Sequence, residues 1–173
     1  MIGPLPTTPG QAKHAVVAID YFTRWVEAKA LTRITEEKTT NFVKENIVCY
    51  FGTPMAIITG LGKQFDNANF REFCEDQRIN LRFALVAHPQ TNGLVEATNK
   101  TIKKILKKKL QQKKGLWVAE LPNVLWAYRT TRRTATGETP YSLVFGQKQS
   151  CPSSISSYLS GSKITNQRIM RPS

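Results

Sequence analysis

The spacing of apolar residues changes period several times along the chain. "HAVVAIDYF" (14–22) is a mostly apolar run of the length of a buried strand. "RWVEAKAL" (24–31) alternates, which predicts a second, partly exposed strand antiparallel to the first after a tight turn. The pattern then turns helical. Thr35 is placed to cap, Glu36 and Glu37 suit a first turn, and the helix should bury Phe42, Val43, Ile47 and Tyr50 or Phe51 before Gly52 stops it. "MAIIT" (55–59) reads as a short buried strand, and a helix over about 67–77, capped by Asp66-Asn67, packs Phe70, Phe73 and Cys74. "INLRFALV" (79–86) is the next strand and "AHPQTNG" (87–93) a loop.

A long helix follows over about 92–112, breaking near Gly115. "WVAELPNVLWAYRTT" (117–131) is amphipathic and helical, with Pro122 disturbing it. "TATGETPYSLVFG" (134–146) gives a turn and a short packed segment. Beyond Gly146 the text is Ser-rich without periodicity, which predicts a frayed tail over 148–173 and one folded unit over 1–147. A hairpin followed by alternating strands and helices implies an α/β fold, a mixed sheet with helices on both faces. "MIGPLP" reads as the end of a strand that begins before the chain does.

Charge sharpens this picture. The chain has 173 residues and a net charge of +13, all of it carried after residue 96, where 15 Lys/Arg face only Glu120 and Glu138. A basic surface on one part of a folded unit points to a polyanion, with nucleic acid the default partner. The three cysteines are widely spaced and the two histidines isolated, which argues against a disulfide framework and a zinc ribbon and favours a reducing, intracellular compartment. No apolar run is long enough to span a membrane.

On the long helix, at about 100° per residue, Leu94, Val95, Thr98, Ile102, Ile105 and Leu106 gather on one side. Glu96 falls on the other, with Lys100, Lys103 and Lys107. Two readings follow: a carboxylate that holds a metal beside lysines that hold phosphates, or a solvated face with Glu96 paired to Lys100. The pairing rule by itself favours the second.

Seven stretches give the sequence a relative. "IGPLP", "VVAIDYFTRWVEAKAL", "FGTPMAIIT", "GKQFDN", "VAHPQTNGLVEATNKTIKK", "LWAYRTT" and "TGETPYSLVFG" together resemble the catalytic core of integrases from gypsy-type long-terminal-repeat retrotransposons, over about residues 1–147. The resemblance implies a ribonuclease-H-like fold, here with its first strand truncated. It also implies magnesium- or manganese-dependent polynucleotidyl transfer that joins element DNA to target DNA, DNA as partner, homo-oligomers and a nuclear location. The family uses two aspartates and a glutamate, with 35 residues between the last two. Glu96 matches the glutamate, and residues 61–95 number 35, so Gly60 stands where the second aspartate is usual and Leu61 where an asparagine follows it. The first aspartate would stand directly before Met1. Lys100, Lys103 and Lys107 match or adjoin DNA-contacting positions, and Asn92, with His88, Pro89, Gln90 and Gly93, lies on the loop beside the active site.

Such chemistry needs two divalent ions about 3.5–4 Å apart to activate a nucleophile and stabilise a leaving oxygen. Magnesium demands near-octahedral oxygen ligands, so one carboxylate cannot seat both ions. The sequence therefore predicts a catalytically dead copy with an incomplete metal site. Asp20 is better explained by turn formation and Asp66 by helix capping than as substitute ligands. Trp117, Trp126 and Tyr128, at helical spacing, are expected in the core. Three rival readings are a non-enzymatic DNA-binding protein captured from an element, an active transferase with substitute ligands, and a translated relic.

Overall fold

A computed structural model describes residues 1–84, 89–112 and 116–146, and of 89–92 and 109–112 the backbone alone. The expected tail over 148–173 lies outside the described residues, as do Cys151 and His88. Strand β1 (His14–Ile19) pairs antiparallel with β2 (Val26–Leu31), in the register Ala15 to Ala30 and Ile19 to Val26. Asp20 sits in the turn just past β1, where its Oδ2 accepts from both the N–H and the hydroxyl of Thr23 at 2.7 Å. Its expected role in the turn is thus met.

Alternation along the two strands divides the core. Ala15, Val17 and Ile19, with Val26, Ala28 and Ala30, pack on a cluster that includes Ile102, Leu106, Trp117 and Val124. Val16, Ala18 and Leu31 pack on a second cluster with Phe42, Val43, Phe70 and Cys74. Successive side chains of a strand point to opposite faces, so a ladder covered on both sides needs apolar residues at nearly every position. That is the unbroken run over 14–19. The expected strand at "MIGPLP" is a single bridge: Ile2 and Ala15 exchange two hydrogen bonds of 2.8 Å, and Leu5 N–H reaches Lys13 O at 2.7 Å.

Helix α1 (Glu36–Val43) is capped by the Thr35 hydroxyl and runs into a π turn (Lys44–Val48) and the short α2 (Cys49–Phe51). Gly52 ends it with φ of 81°, a conformation suited to glycine. Here the expectation of a buried Tyr50 or Phe51 fails, since they are 76% and 45% exposed. The wider π turn carries the residues after it off the apolar stripe that Phe42 and Val43 define.

Strand β3 (Ala56–Thr59) pairs parallel with β4 (Asn80–Phe83), and α3 (Ala68–Asp76) connects them. Asn67 caps α3, its side chain accepting from Phe70 N–H at 2.8 Å. Asp66 does not cap; it pairs with Arg71 at 2.5 Å. β3 is also less buried than its composition predicts: Ile57 packs on the core with Leu81, but Ile58 is 48% exposed. The two ladders, one antiparallel and one parallel, remain separate pairs that share the second cluster.

Helix α4 (Pro89–Gln112) starts before the sequence pattern predicts, so residues 89–93 are helical rather than loop. Proline is favoured in a first helical turn, where its missing N–H leaves no bond unmade. Helix α5 (Trp117–Thr130) continues through the exposed Pro122, and α6 (Pro140–Phe145) is capped by Thr139 and closed by Gly146 at φ 67°. Trp117 and Tyr128 are buried, and Trp126 is half-buried against Tyr141.

Arg129 ties α5 to the edge of β2. Its Nε and one terminal nitrogen donate to Val26 O at 3.0 and 2.7 Å, that nitrogen lies 2.6 Å from Glu27 Oε1, and the guanidinium stacks 4.2 Å above the Trp25 ring. Burial pushes the Arg129 pKa down, and the Glu27 charge opposes that shift. Removing one partner of such a mostly buried pair strands the other. Arg129→Ala should therefore cost about 3 kcal/mol, read as a lower urea midpoint, with Arg129→Lys intermediate because it lacks the planar fork. Burial also raises the pKa of Cys74, which is 1% exposed, whereas Cys49 is exposed. Peptide mapping after thiol alkylation at neutral pH should find Cys49 modified and Cys74 protected until the chain unfolds.

Candidate active site and basic helix

Two elements carry the residues singled out by the sequence. α4 lies against α5 and β1, with Thr98, Ile102, Ile105 and Leu106 buried. Glu96, Lys100 and Lys107 are exposed on its outer side and Lys103 is half-buried. The predicted division of this helix into an apolar face and a charged face therefore holds. Among the described residues Glu96 and Lys100 form no ion pair, contrary to the simpler reading. Two exposed, flexible side chains gain too little Coulomb energy in water to hold one geometry. Lys103 faces the start of the chain: burial first, and then the Lys103 charge, push the Met1 amine below its ordinary pKa. Asn92 lies within α4, and its side chain falls outside the described residues.

Gly60 follows Thr59 at the end of β3 and is exposed. Its φ is outside the left-handed region, and an added Cβ would meet nothing within 4 Å, Glu96 included. Neither conformation nor crowding demands glycine here. The backbone could carry an acid, and the sequence does not supply one. Leu61, next in the chain, is 59% exposed.

Two further polar atoms, one beside Gly60 and one on α4, are not among those that the sequence singles out. The Thr59 Oγ1, beside Gly60, and the Asn99 Oδ1 are buried without a hydrogen-bond partner. Asn99 is three residues past Glu96, so both fall on one side of α4; that i,i+3 spacing was the available signal. Buried polar atoms in folded proteins are nearly always paired, and exceptions often mark functional positions.

A pair of divalent cations does not fit this set of groups. Among the described residues no three of His, Cys, Asp and Glu come together. Glu96 supplies one carboxylate, Gly60 supplies no side-chain oxygen, and Asp66 is engaged with Arg71. Asn99 and Thr59 offer only neutral oxygens, which cannot neutralise two dications.

No family model matches the chain. It is 29% identical over 141 residues to the Transposon Tf2-3 polyprotein of Schizosaccharomyces pombe, a match covering 81% of this chain and 10% of that one. The Tf2-4 polyprotein of the same yeast matches equally. The chain thus spans about a tenth of the length of the curated relatives it matches. Among solved structures, a chain of the simian T-cell lymphotropic virus intasome, solved with PP2A regulatory subunit B56 gamma, superposes with a TM-score of 0.72 at 22% identity, covering 87% of this chain and 59% of that one. The HTLV-2 integrase catalytic core domain in complex with magnesium gives 0.60 at 26% identity, covering 72% and 79%. The chain is homologous to Tf2 retrotransposon polyproteins and has the ribonuclease-H-like fold of retroviral integrase cores.

The unpaired atoms give a direct prediction. Thr59→Val should leave stability unchanged or raise it by about 1 kcal/mol, because it removes a buried unsatisfied oxygen with little change of shape. A raised urea midpoint at constant slope is the expected result; a clearly lowered one would mean that the oxygen has a partner.

Proposed function

We propose that this integrase-core-like chain binds DNA along the outer side of α4 and does not catalyse strand transfer. The observation that carries the reading is the open end of β3, where Gly60 brings no carboxylate, set against an exposed Glu96 on a lysine-bearing helix. The resemblance implies phosphodiester chemistry with a divalent metal, and one carboxylate cannot orient two ions. Lys100, Lys103 and Lys107 would instead neutralise backbone phosphates, which requires no metal. Residues 1–147 form the DNA-binding unit in this reading, it acts in the nucleus, and copies of the chain associate as the resemblance implies.

Purified chain should give no Mg²⁺- or Mn²⁺-dependent joining of terminal-repeat DNA above a Glu96→Ala control. Gly60→Asp together with Leu61→Asn, in the context of the longer polyprotein, should restore measurable joining. Joining by the unaltered chain would overturn the inactive reading. DNA affinity should fall steeply with salt and be indifferent to chelator; loss of binding on adding chelator would favour an active transferase with substitute ligands.

A further inference from the structure

The turn leading into β1 builds a basic concavity, away from Glu96 in the sequence. Gln11 N–H donates to Thr8 O at 2.8 Å, and Ala12 N–H to the Thr8 hydroxyl at 3.2 Å, which fixes the turn. Lys13 N–H donates to Leu31 O at 3.2 Å and joins the turn to the end of β2. Between them lies a cleft of about 610 Å³, bordered by Thr7, Gly10, Gln11, Lys13, Thr32 and Arg33.

Its lining has two cations and no acid. Lys13 and Arg33 are exposed, and among the described residues neither forms an ion pair. The Thr32 Oγ1 accepts from Lys38 Nζ at 2.9 Å, which adds a third cation at the rim and leaves the Thr32 O–H free to donate. Of the acids that follow in the chain, Glu36 accepts from Asn69 at 2.9 Å, and Glu37 is exposed on the first turn of α1. A concave surface offering a guanidinium, an ammonium and hydroxyl donors suits a phosphodiester oxygen pair.

The cleft is also built onto the same core as the lysine helix. Leu5 and Ala12, at the base of the turn, share a cluster with Ile105 and Leu106 of α4, and Trp117 Nε1 donates to Pro6 O at 2.8 Å. We propose that this cleft is a second DNA-backbone contact, in which Lys13 and Arg33 hold one phosphodiester of a duplex that also lies on α4. The inference rests on α4 being the DNA-binding face.

The test is fluorescence anisotropy of a labelled duplex over a range of salt, with thermal melting to confirm folding. Three double variants remove equal charge: Lys13→Gln/Arg33→Gln in the cleft, Lys100→Gln/Lys103→Gln on α4, and Lys44→Gln/Arg78→Gln as an exposed control. Each phosphate contact contributes about 0.9 to the slope of log affinity against log salt. The cleft variant should make that slope shallower by about 0.9 and weaken binding about fivefold near 0.15 M salt, well beyond the control. A cleft variant indistinguishable from the control, or weakened with no change of slope, overturns the cleft while a loss in the α4 variant leaves the proposed function standing. If neither pair exceeds the control, both readings fail.

Discussion

The β1–β2 ladder is packed on both faces, with Lys29 its one exposed position, and the rest of the molecule is arranged to cover it. Ala15, Val17 and Ile19 must be shielded by α4 and α5, and Val16 and Ala18 by α1 and α3. Burial of apolar area, at about 25 cal/mol per Å², drives both layers onto the ladder. The exposed outer side of α4 follows from this. Once Ile102 and Leu106 are committed to the core, the 3.6-residue period turns Glu96, Lys100 and Lys107 outward together. The lysine face is a geometric consequence of packing as much as a functional feature.

Edges are where that ladder is vulnerable, and Arg129 occupies one of them. It satisfies the Val26 carbonyl, neutralises Glu27 and covers Trp25 in one planar group. Trp25 in turn meets Phe51, Tyr141 and Phe145 at 5.9, 6.4 and 5.4 Å, so α2, β2, α5 and α6 converge there. The pairs with Phe51 and Phe145 are edge-to-face, a favoured aromatic arrangement.

Strand and helix identities could be read from the chain because both periods are strong: the continuous run at 14–19 and the stripe at Thr98, Ile102, Ile105 and Leu106 each answer to a single burial pattern. What escaped depended on tertiary geometry. A π turn at Lys44–Val48 leaves no signature in apolar spacing, so the spacing predicts a buried Tyr50 or Phe51 where both are exposed. Asp66 and Asn67 are both good caps by type, and the choice was decided by Arg71 reaching Asp66. The candidate site was legible at Glu96 and Gly60 through a resemblance, and at the lysines through helical spacing. Asn99, Thr59 and the Lys13–Arg33 cleft were not, because burial without a partner and concavity are properties of assembled elements.

The central claim is that Gly60, the residue after β3, brings no carboxylate to help Glu96 seat two ions. Calorimetric titration of Mn²⁺ into the chain tests it most directly. The account predicts no saturable uptake above the Glu96→Ala variant; two equivalents bound per chain, lost in that variant, would contradict it.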